Sequence, residues 1–474
     1  MGKKKLSSVL GIDIGSQNIK IVEVKKSGND VTISAVSMVA TPAGMVDHTG
    51  VYDTETIAAY IKQACATSGV STAQSVISVA GQASVLVRTL EVPKMAANEF
   101  KEHMAWEISR NIPFAESTIV SDYQAFPVTD MTANNMDVVM AISPDSAVQT
   151  LMQIGKKSGK PVFALDVEPL SLARSLKVSY DQELAGKTVC MIEIGHKTTA
   201  INMYKDGQLL LPRQVPVGGE NLTNAISQSL GVSTEEAERL KIEEGFVPID
   251  IGGMTVSPGN PFMSSQTTDF TAYNPFVDSF SEPAPAEPAA NLGYSAPAEY
   301  SVPSDYSAPI DNAVPGAYGS QDGEFAQPDY SEPISDAISD PNASPFEAVA
   351  PAADEVYGIA PVVAMNEPPE PTLDLKIYNA MAMELDEFIA EVRRSIDYYR
   401  SKGGDVQQIM ITGGGSKLRG LDGFLERAIG TSVKIYDPFK GINLNAKKTE
   451  DGLVEKHREE FSIAIGNGLH ILFD

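Results

Sequence analysis

Cysteine is scarce: Cys65 and Cys190 are the only two in 474 residues. Two cannot make the disulfide framework of a small secreted scaffold, and both stand in apolar surroundings that suit buried free thiols. A reducing cytosol is the expected compartment. Long hydrophobic runs are also lacking. No stretch approaches the ~18 apolar residues of a spanning helix, so any membrane link is expected to come through a partner. The opening MGKKKLSSVLGID is basic, but Asp13 interrupts its apolar run too early for a signal peptide, and Leu6 stands where a myristoylation signal needs Ser or Thr. Positive charge is short as well. Lys+Arg number 36 against 62 Asp+Glu, a net charge of −26. Such a surface repels nucleic acid and anionic headgroups over most of its area, which excludes DNA, RNA and broad membrane binding as first readings.

The acid excess is local. Between Phe246 and Pro371 there are 19 acids and no base, so this stretch carries −19 of the −26. Residues 247–371 also hold 20 of the chain's 30 prolines, in phrases such as GYSAPAEYSVPSDYSAP and PDYSEP. Without bases to pair its acids, or enough apolar surface to offset ordering entropy, the tract is expected to be disordered. The helical patterns EEAERLK before it and LDEFIAEVRRSIDYYRS after it make it a loop insertion between two helices of one domain. Its Tyr and Phe residues recur about every ten positions, a spacing suited to a tether for a basic partner.

The remainder contains a weak internal repeat. GIDIGSQNIKIVEV, from Gly11, and MIEIGHKTTAINMY, from Met191, share Ile, an acid, Ile, Gly, then Ile six residues after the Gly. Each reads as a strand, a turn at Gly15 or Gly195, a second strand, and a further turn at Ser27-Gly28-Asn29 or Asp206-Gly207. A third glycine cluster lies in QQIMITGGGSKLRGLDGFLERAIG, where a buried-looking strand runs through Gly413, Gly414 and Gly415 into an amphipathic helix whose first turn holds Ser416 and Lys417. VPVGGENLTNAI repeats the idea around Gly218 and Gly219. A strand, a glycine loop and a helix N-terminus together present backbone N–H groups to a small anion.

Two facing hairpins of this kind supply what a metal polyphosphate needs. Gly15 and Gly195 admit close backbone approach. Asp13 and Glu193, just before the turns, offer carboxylates to an ion such as Mg²⁺ that keeps most of its waters. Lys20 is either a solvated strand residue or a phosphate contact. Glu168 is either an N-terminal acid of the helix begun by Pro169 or a residue facing the cleft. For His196 and Lys197 an exposed turn is the expectation, with phosphate contact the alternative.

These motifs resemble the actin, Hsp70 and sugar-kinase superfamily, most closely its bacterial actin-like members. ITGGGSKLRGLD is similar to the adenosine loop of MreB filament proteins, and AERLKIEEG, from Ala237, to their ribose and adenine segment. The resemblance implies ATP as cofactor with Mg²⁺ held by Asp13 and Glu193, and a first phosphate loop over Asp13, Gly15, Ser16, Gln17, Asn18 and Lys20. It implies a second over Gly195, His196, Lys197 and Thr198. Glu238 and Lys241 would hold ribose and adenine, Gly413 to Ser416 would line the adenosine, Gly218 and Gly219 would also contact the cofactor, and Glu168 would orient a water. Glu193 departs from the superfamily's usual Asp, and its extra methylene moves the carboxylate by about 1–1.5 Å.

SSVLGIDIGSQNIKIVEV, EISRNIPFAESTIVSDYQAF, GKPVFALDVEPLSLARSL and FSIAIGNGLHIL further resemble the PilM family of type IV pilus assembly. That implies an α/β, ribonuclease H-like, two-domain actin fold with a nucleotide cleft, at most slow ATPase activity, and a cytoplasmic place at the inner membrane in pilus assembly or type II secretion. A PilN-like membrane protein would contribute its N-terminal peptide. Pilus motor ATPases and an ATP-linked oligomer are further implied partners. The expected layout is 8–83 and 167–186 in the first half-domain, 84–166 as a small inserted subdomain, 187–246 and 372–440 in the second half, 247–371 as the insertion, and 441–474 returning to the first half. The alternatives are an FtsA-like division protein, an MreB-like filament, or a small-molecule kinase using Asp166 as base. On the helix NEFKEHMAWEISRNI, Phe100, Met104, Ile108 and Ile112 share a face, and Trp106 lies opposite, where packing under another element is the expectation.

Overall fold

The computed structural model describes residues 6–248 and 371–473, except Asn29, His48, Gln82, 116–117 and 127–133. The chain divides into two units, 1–254 with 368–474 and 255–367, and the described residues all lie in the first. The expected disorder of the tract therefore concerns residues outside those described, apart from its edges. At one edge Val247 is fully buried, with its N–H donating to the Arg419 carbonyl at 2.8 Å.

The first half opens with an antiparallel meander, β1 (Ser8–Ile14), β2 (Asn18–Ser27) and β3 (Asp30–Ala40). Helix α1 (Thr54–Ser68) follows, capped by Asp53, whose side chain accepts from the N–H groups of Glu55 and Thr56. It leads to β4 (Ser75–Val79), which pairs parallel with β1 and is buried throughout, as suits a strand covered on both faces.

The chain then leaves to build β5 (Leu86–Pro93), α2 (Ala97–Arg110), β6 (Ile119–Ala125) and β7 (Asn135–Pro144). The three strands form their own antiparallel sheet, in the order β5-β7-β6. Met104 and Ile108 of α2 pack on Val92, Val138, Met140 and Ile142 beneath it. The helix stops at Arg110, where Asn111 caps it, so Ile112 lies beyond the apolar stripe and is exposed. Trp106 is 53% exposed, with His103 beside it and the Arg110 guanidinium 4.9 Å from its ring centroid. The packing expected for it is thus overturned: the sheet takes the other face of α2, and no described element covers this one.

Helix α3 (Asp145–Lys157) and β8 (Val162–Val167) follow. The sequence assigns both to the inserted subdomain, but β8 pairs parallel with β4 and α3 packs on α1, so they belong to the first sheet and the excursion ends at Pro144. Helix α4 (Glu168–Leu184) crosses to the second half.

That half repeats the meander in β9 (Thr188–Ile194), β10 (Thr199–Lys205), β11 (Gln208–Leu211) and the short β12 (Gln214–Val215). Asp206 and Gly207, with φ of +51° and +81°, make the β10–β11 turn. Helices α5 (Gly219–Leu230) and α6 (Thr234–Glu243) precede the tract, and α7 (Leu373–Ser401) follows it. Leu385, Phe388, Ile389, Val392 and Ile396 of α7 are buried in one core with Val247, so the elements on either side of the tract share the core of this half. Strand β13 (Gln408–Thr412) then pairs parallel with β9, followed by a 3-10 turn (Gly414–Lys417), α8 (Leu421–Ile429) and β14 (Val433–Ile435).

The end of the chain returns to the first half. Strand β15 (Asn443–Leu444) pairs with β3, α9 (Leu453–His457) leads through a 3-10 turn (Arg458–Phe461), and α10 (Ser462–Gly468) packs on β1, β2 and α4. Cys65 and Cys190 are buried free thiols, which burial pushes up to about 11 and about 12.

Candidate functional site

Both acid-glycine hairpins face one cavity of about 310 Å³. In the first, the antiparallel register sets Asp13 directly opposite Lys20, which is why a spacing of seven brings them together across the Gly15 turn. Lys20 Nζ donates to Asp13 Oδ2 at 2.9 Å, and neither side chain is more than 14% exposed. Burial alone would lower the Lys20 pKa, but the Asp13 charge and hydrogen bond, aided by Glu460 and Glu193, hold it up at about 12. Lys20 is therefore a buried partner of Asp13, not a solvated strand residue. Thr41 pins the turn through its Oγ1 to the Gly15 carbonyl (2.7 Å) and its N–H to the Gln17 carbonyl (2.9 Å).

The second hairpin has the same backbone. Gly15 N–H donates to the Asn18 carbonyl at 3.1 Å and Gly195 N–H to the Thr198 carbonyl at 2.9 Å. A Cβ on either glycine would fall 2.8 Å from that carbonyl oxygen, so each turn requires glycine by close approach. The charges differ. Opposite Glu193 stands Ala200, and burial, with Asp13 and Glu460 adding to it and Lys20 opposing, pushes the Glu193 carboxyl up to about 7. Glu168, at the first turn of α4, also lines the cavity. Burial first, then the Glu193 and Asp13 charges, push it up to about 8. His196 and Lys197 line the cavity half-buried, so the exposed turn expected for them is not what forms. Burial lowers the His196 pKa, and Lys197 Nζ lies 3.5 Å from Glu220.

The glycine loop after β13 is built differently from the expected strand-loop-helix. Ser416 and Lys417 occupy a separate 3-10 turn, and α8 begins only at Leu421. Gly413 has φ of +83°, and a Cβ there would fall 2.5 Å from the Ile194 carbonyl oxygen, so the loop can lie on the second hairpin only with glycine. Gly413 and Gly414 line the cavity, whereas Gly415 packs over Ile194, and Ser416 turns inward to donate to the Gly413 carbonyl at 2.7 Å.

Gly218 and Gly219 do not line the cavity, nor do Glu238 and Lys241. The start of α5 is docked on the second hairpin. Gly219 N–H donates to the Gly195 carbonyl (3.0 Å) and Glu220 N–H to the His196 carbonyl (2.8 Å), so these amides are spent on protein rather than aimed at an anion. Lys241 Nζ donates to Glu238 (2.6 Å), Thr223 (2.7 Å) and the Gly219 carbonyl (3.0 Å), and Thr223 also hydrogen-bonds to Glu238. Burial would raise Glu238, but Lys241 outweighs it and holds the carboxyl below its ordinary range.

Asp166 is not in the cleft. It pairs with Arg174, with His470 Nδ1 3.4 Å away, and does not line the cavity. Asp166 is therefore not placed to act as a base in the cleft, where Glu168 is. Two features escape sequence reasoning. One is Glu460, a cavity residue in the plain string REEF with no motif to mark it. The other is the cavity's far end, lined by Val46, Asp47, the stretch from Thr49 to Tyr52, Ser84, Pro144 and the first turns of α3, which continues the cleft to the root of the inserted subdomain.

A family model described as type IV pilus assembly protein PilM matches residues 11–267, and one described as cell division protein FtsA matches 190–466. Among curated proteins, FtsA of Bacillus subtilis (strain 168) is 36% identical over 103 residues, 22% of this chain and 23% of that protein. FtsA of Neisseria meningitidis serogroup B is 28% identical over 109 residues, 23% of this chain and 26% of that protein. The chain thus spans about a quarter of the length of these relatives. Among solved structures, one described as a PilM-PilN type IV pilus biogenesis complex superposes with a TM-score of 0.65 at 19% identity, covering 99% of both chains, a likeness of fold.

Proposed function

This chain belongs to the type IV pilus assembly protein PilM family, and from that premise we propose that it binds ATP with Mg²⁺ in the cleft and, in that state, holds the N-terminal peptide of a PilN-like inner-membrane partner. The observation that carries the nucleotide reading is the pair of matched hairpins, one from each half, facing a single cavity closed by Gly413 and Gly414. Asp13 to Lys20 and Gly195 to Thr198 would take the phosphates. Glu238 and Lys241 would reach the ribose and adenine only if the nucleoside extends beyond the cavity toward α6.

The donors suit Mg²⁺. They are hard carboxylate oxygens, and Glu193 and Glu168, which burial first and neighbouring carboxylates second push up, are groups that a cation would help to ionise. Among the described residues no three His, Cys, Asp or Glu side chains could hold a metal directly, which fits an ion carried by phosphate and waters, with Asp13 and Glu193 behind the waters. When bound, the ion neutralises phosphate charge. Glu168, its carboxyl pushed up by burial, would orient a water and accept its proton when deprotonated.

No described helix is long and apolar enough to cross a membrane, and in this reading the partner carries the membrane anchor. In the inserted subdomain, edge strand β5 is engaged by the second half, Thr89 Oγ1 donating to the Leu210 carbonyl at 2.8 Å. The other edge, β6, pairs only with β7 among the described residues and can accept an added strand.

Calorimetric titration tests both parts. Wild type should bind Mg-ATP and Asp13→Ala should lose the metal-dependent affinity. A synthetic peptide of the partner's first dozen residues should bind with a Kd near 1 μM, about −8 kcal/mol, and crosslink between residues 84 and 166. Equal ATP affinity in wild type and Asp13→Ala would sink the site assignment. The FtsA match over residues 190–466 favours one further reading, a cell-division role, which microscopy of septation after depletion of the protein decides.

A further inference from the structure

Glu460 sits in the cavity, 9% exposed, on the 3-10 turn before α10. Its carboxylate collects donors from three places. Asn18 Nδ2 of the first hairpin turn donates to Oε2 at 3.4 Å, while Lys417 Nζ beside the glycine loop (3.0 Å) and His457 Nδ1 (2.7 Å) meet Oε1. The backbone beside it is fixed as well, since the Glu459 carbonyl accepts both Gly413 N–H (2.9 Å) and Thr412 Oγ1 (2.7 Å). The carboxyl carbon lies 3.7 Å from where a Cβ on Gly414 would stand. Burial would raise its pKa, but His457, Lys417 and Lys20 hold it at about 2, so it stays ionised.

A carboxylate gathered by an amide and two cationic or neutral nitrogens, over a glycine loop, is held as a bound phosphate oxygen would be. We propose that Glu460 is a built-in competitor for the polyphosphate, occupying Asn18 and Lys417 and thereby making nucleotide binding depend on a divalent cation. The inference rests on the nucleotide reading of the cleft and goes beyond it. Asp13, Asp47 and Glu460 line the cavity against Lys20 and Lys197, with the buried carboxyls of Glu168 and Glu193 beside them. A metal-free nucleotide meets this excess of negative charge and must also displace Glu460 from its partners. A metal complex brings its own positive charge and pays less of that repulsion.

The test follows the anisotropy of N-methylanthraniloyl-ATP titrated with the full chain, in MgCl₂ and in EDTA. Wild type should bind in MgCl₂ and weaken by at least about tenfold in EDTA. Glu460→Gln should recover most of that loss, binding in EDTA within about threefold of its affinity in MgCl₂. Lys417→Met keeps the carboxylate and strips its cation, so it should weaken binding in EDTA further. If Glu460→Gln binds in EDTA no more tightly than wild type, or Lys417→Met gains affinity there, while all bind in MgCl₂, Glu460 is a strut and the proposal falls. Absence of binding by every variant in both buffers removes the nucleotide reading itself, and this inference with it.

Discussion

The two hairpins share a backbone and differ in charge. Each has a strand ending in an acid, a glycine whose Cβ would strike a carbonyl oxygen at 2.8 Å, and a return strand. Opposite Asp13 the first hairpin places Lys20, and opposite Glu193 the second places Ala200. The first therefore carries its own counter-ion, whereas the second holds a carboxyl that burial pushes up to about 7. Equal geometry with unequal electrostatics leaves the Glu193 carboxyl without a cation across its own hairpin.

The largest expected effect comes from making the first hairpin resemble the second. Lys20→Met strips the partner of a mostly buried carboxylate, and urea unfolding should show a loss of roughly 3 kcal/mol. A loss below about 0.5 kcal/mol would mean that the pair is solvated after all.

Next in size are the turn glycines. Gly15→Ala and Gly195→Ala should each cost about 1–3 kcal/mol by the same measurement, because the added Cβ meets the same obstacle in both. Costs that differ by more than about 1 kcal/mol would break the equivalence of the two turns.

A smaller effect, centred on the second hairpin's acid and its neighbour Glu168, appears with pH. Glu193 and Glu168 have native pKa values raised above the ordinary carboxyl value, so the native state binds more protons. Their stabilising contribution is complete below about pH 4.5 and is lost as pH rises through about 7 to 8. In metal-free buffer the Tm should decline between pH 5 and 8.5. Glu193→Gln should flatten that decline, and Mg-ATP should raise the Tm more at pH 8 than at pH 6, since deprotonated carboxylates favour the metal. A Tm profile unchanged by Glu193→Gln would contradict the asymmetry.

The smallest stability effect belongs outside both hairpins. Trp106→Ala should leave the unfolding free energy within about 0.5 kcal/mol of wild type. If the exposed ring anchors the partner, the same change should weaken the partner peptide by about tenfold in calorimetry. A large stability loss would show that the ring is packed.

Much of the site was legible because its motifs are local. Alternating apolar residues around Gly15 and Gly195 specify strand-turn-strand at a period of two, and a run of β-branched residues into Gly413 specifies a buried strand ending in a tight loop. The kinship of the halves followed from the same spacing. Less legible was the use made of each polar group. Gly218 and Gly219 read as an anion loop, but their helix start is docked on the second hairpin, so the amides of Gly219 and Glu220 are already donating. Asp166 reads as a free acid near the cleft, yet Arg174 claims it. The exposure of Trp106 depended on which neighbours α2 acquired.

By itself the sequence determined the strands, the turns, the glycine loop, the acids placed beside them and the acidic tract between two helices of one half. Those follow from backbone sterics and hydrophobic periodicity over a dozen residues at a time. Only the tertiary structure decided that α3 and β8 complete the first sheet, that the cleft runs on to the root of the inserted subdomain, and that Glu460 sits among the first turn, the glycine loop and His457. Asn18 and Glu460 are 442 positions apart. No local pattern encodes such a meeting, because hydrogen-bond occupancy, burial and charge balance are properties of the neighbours that packing brings together.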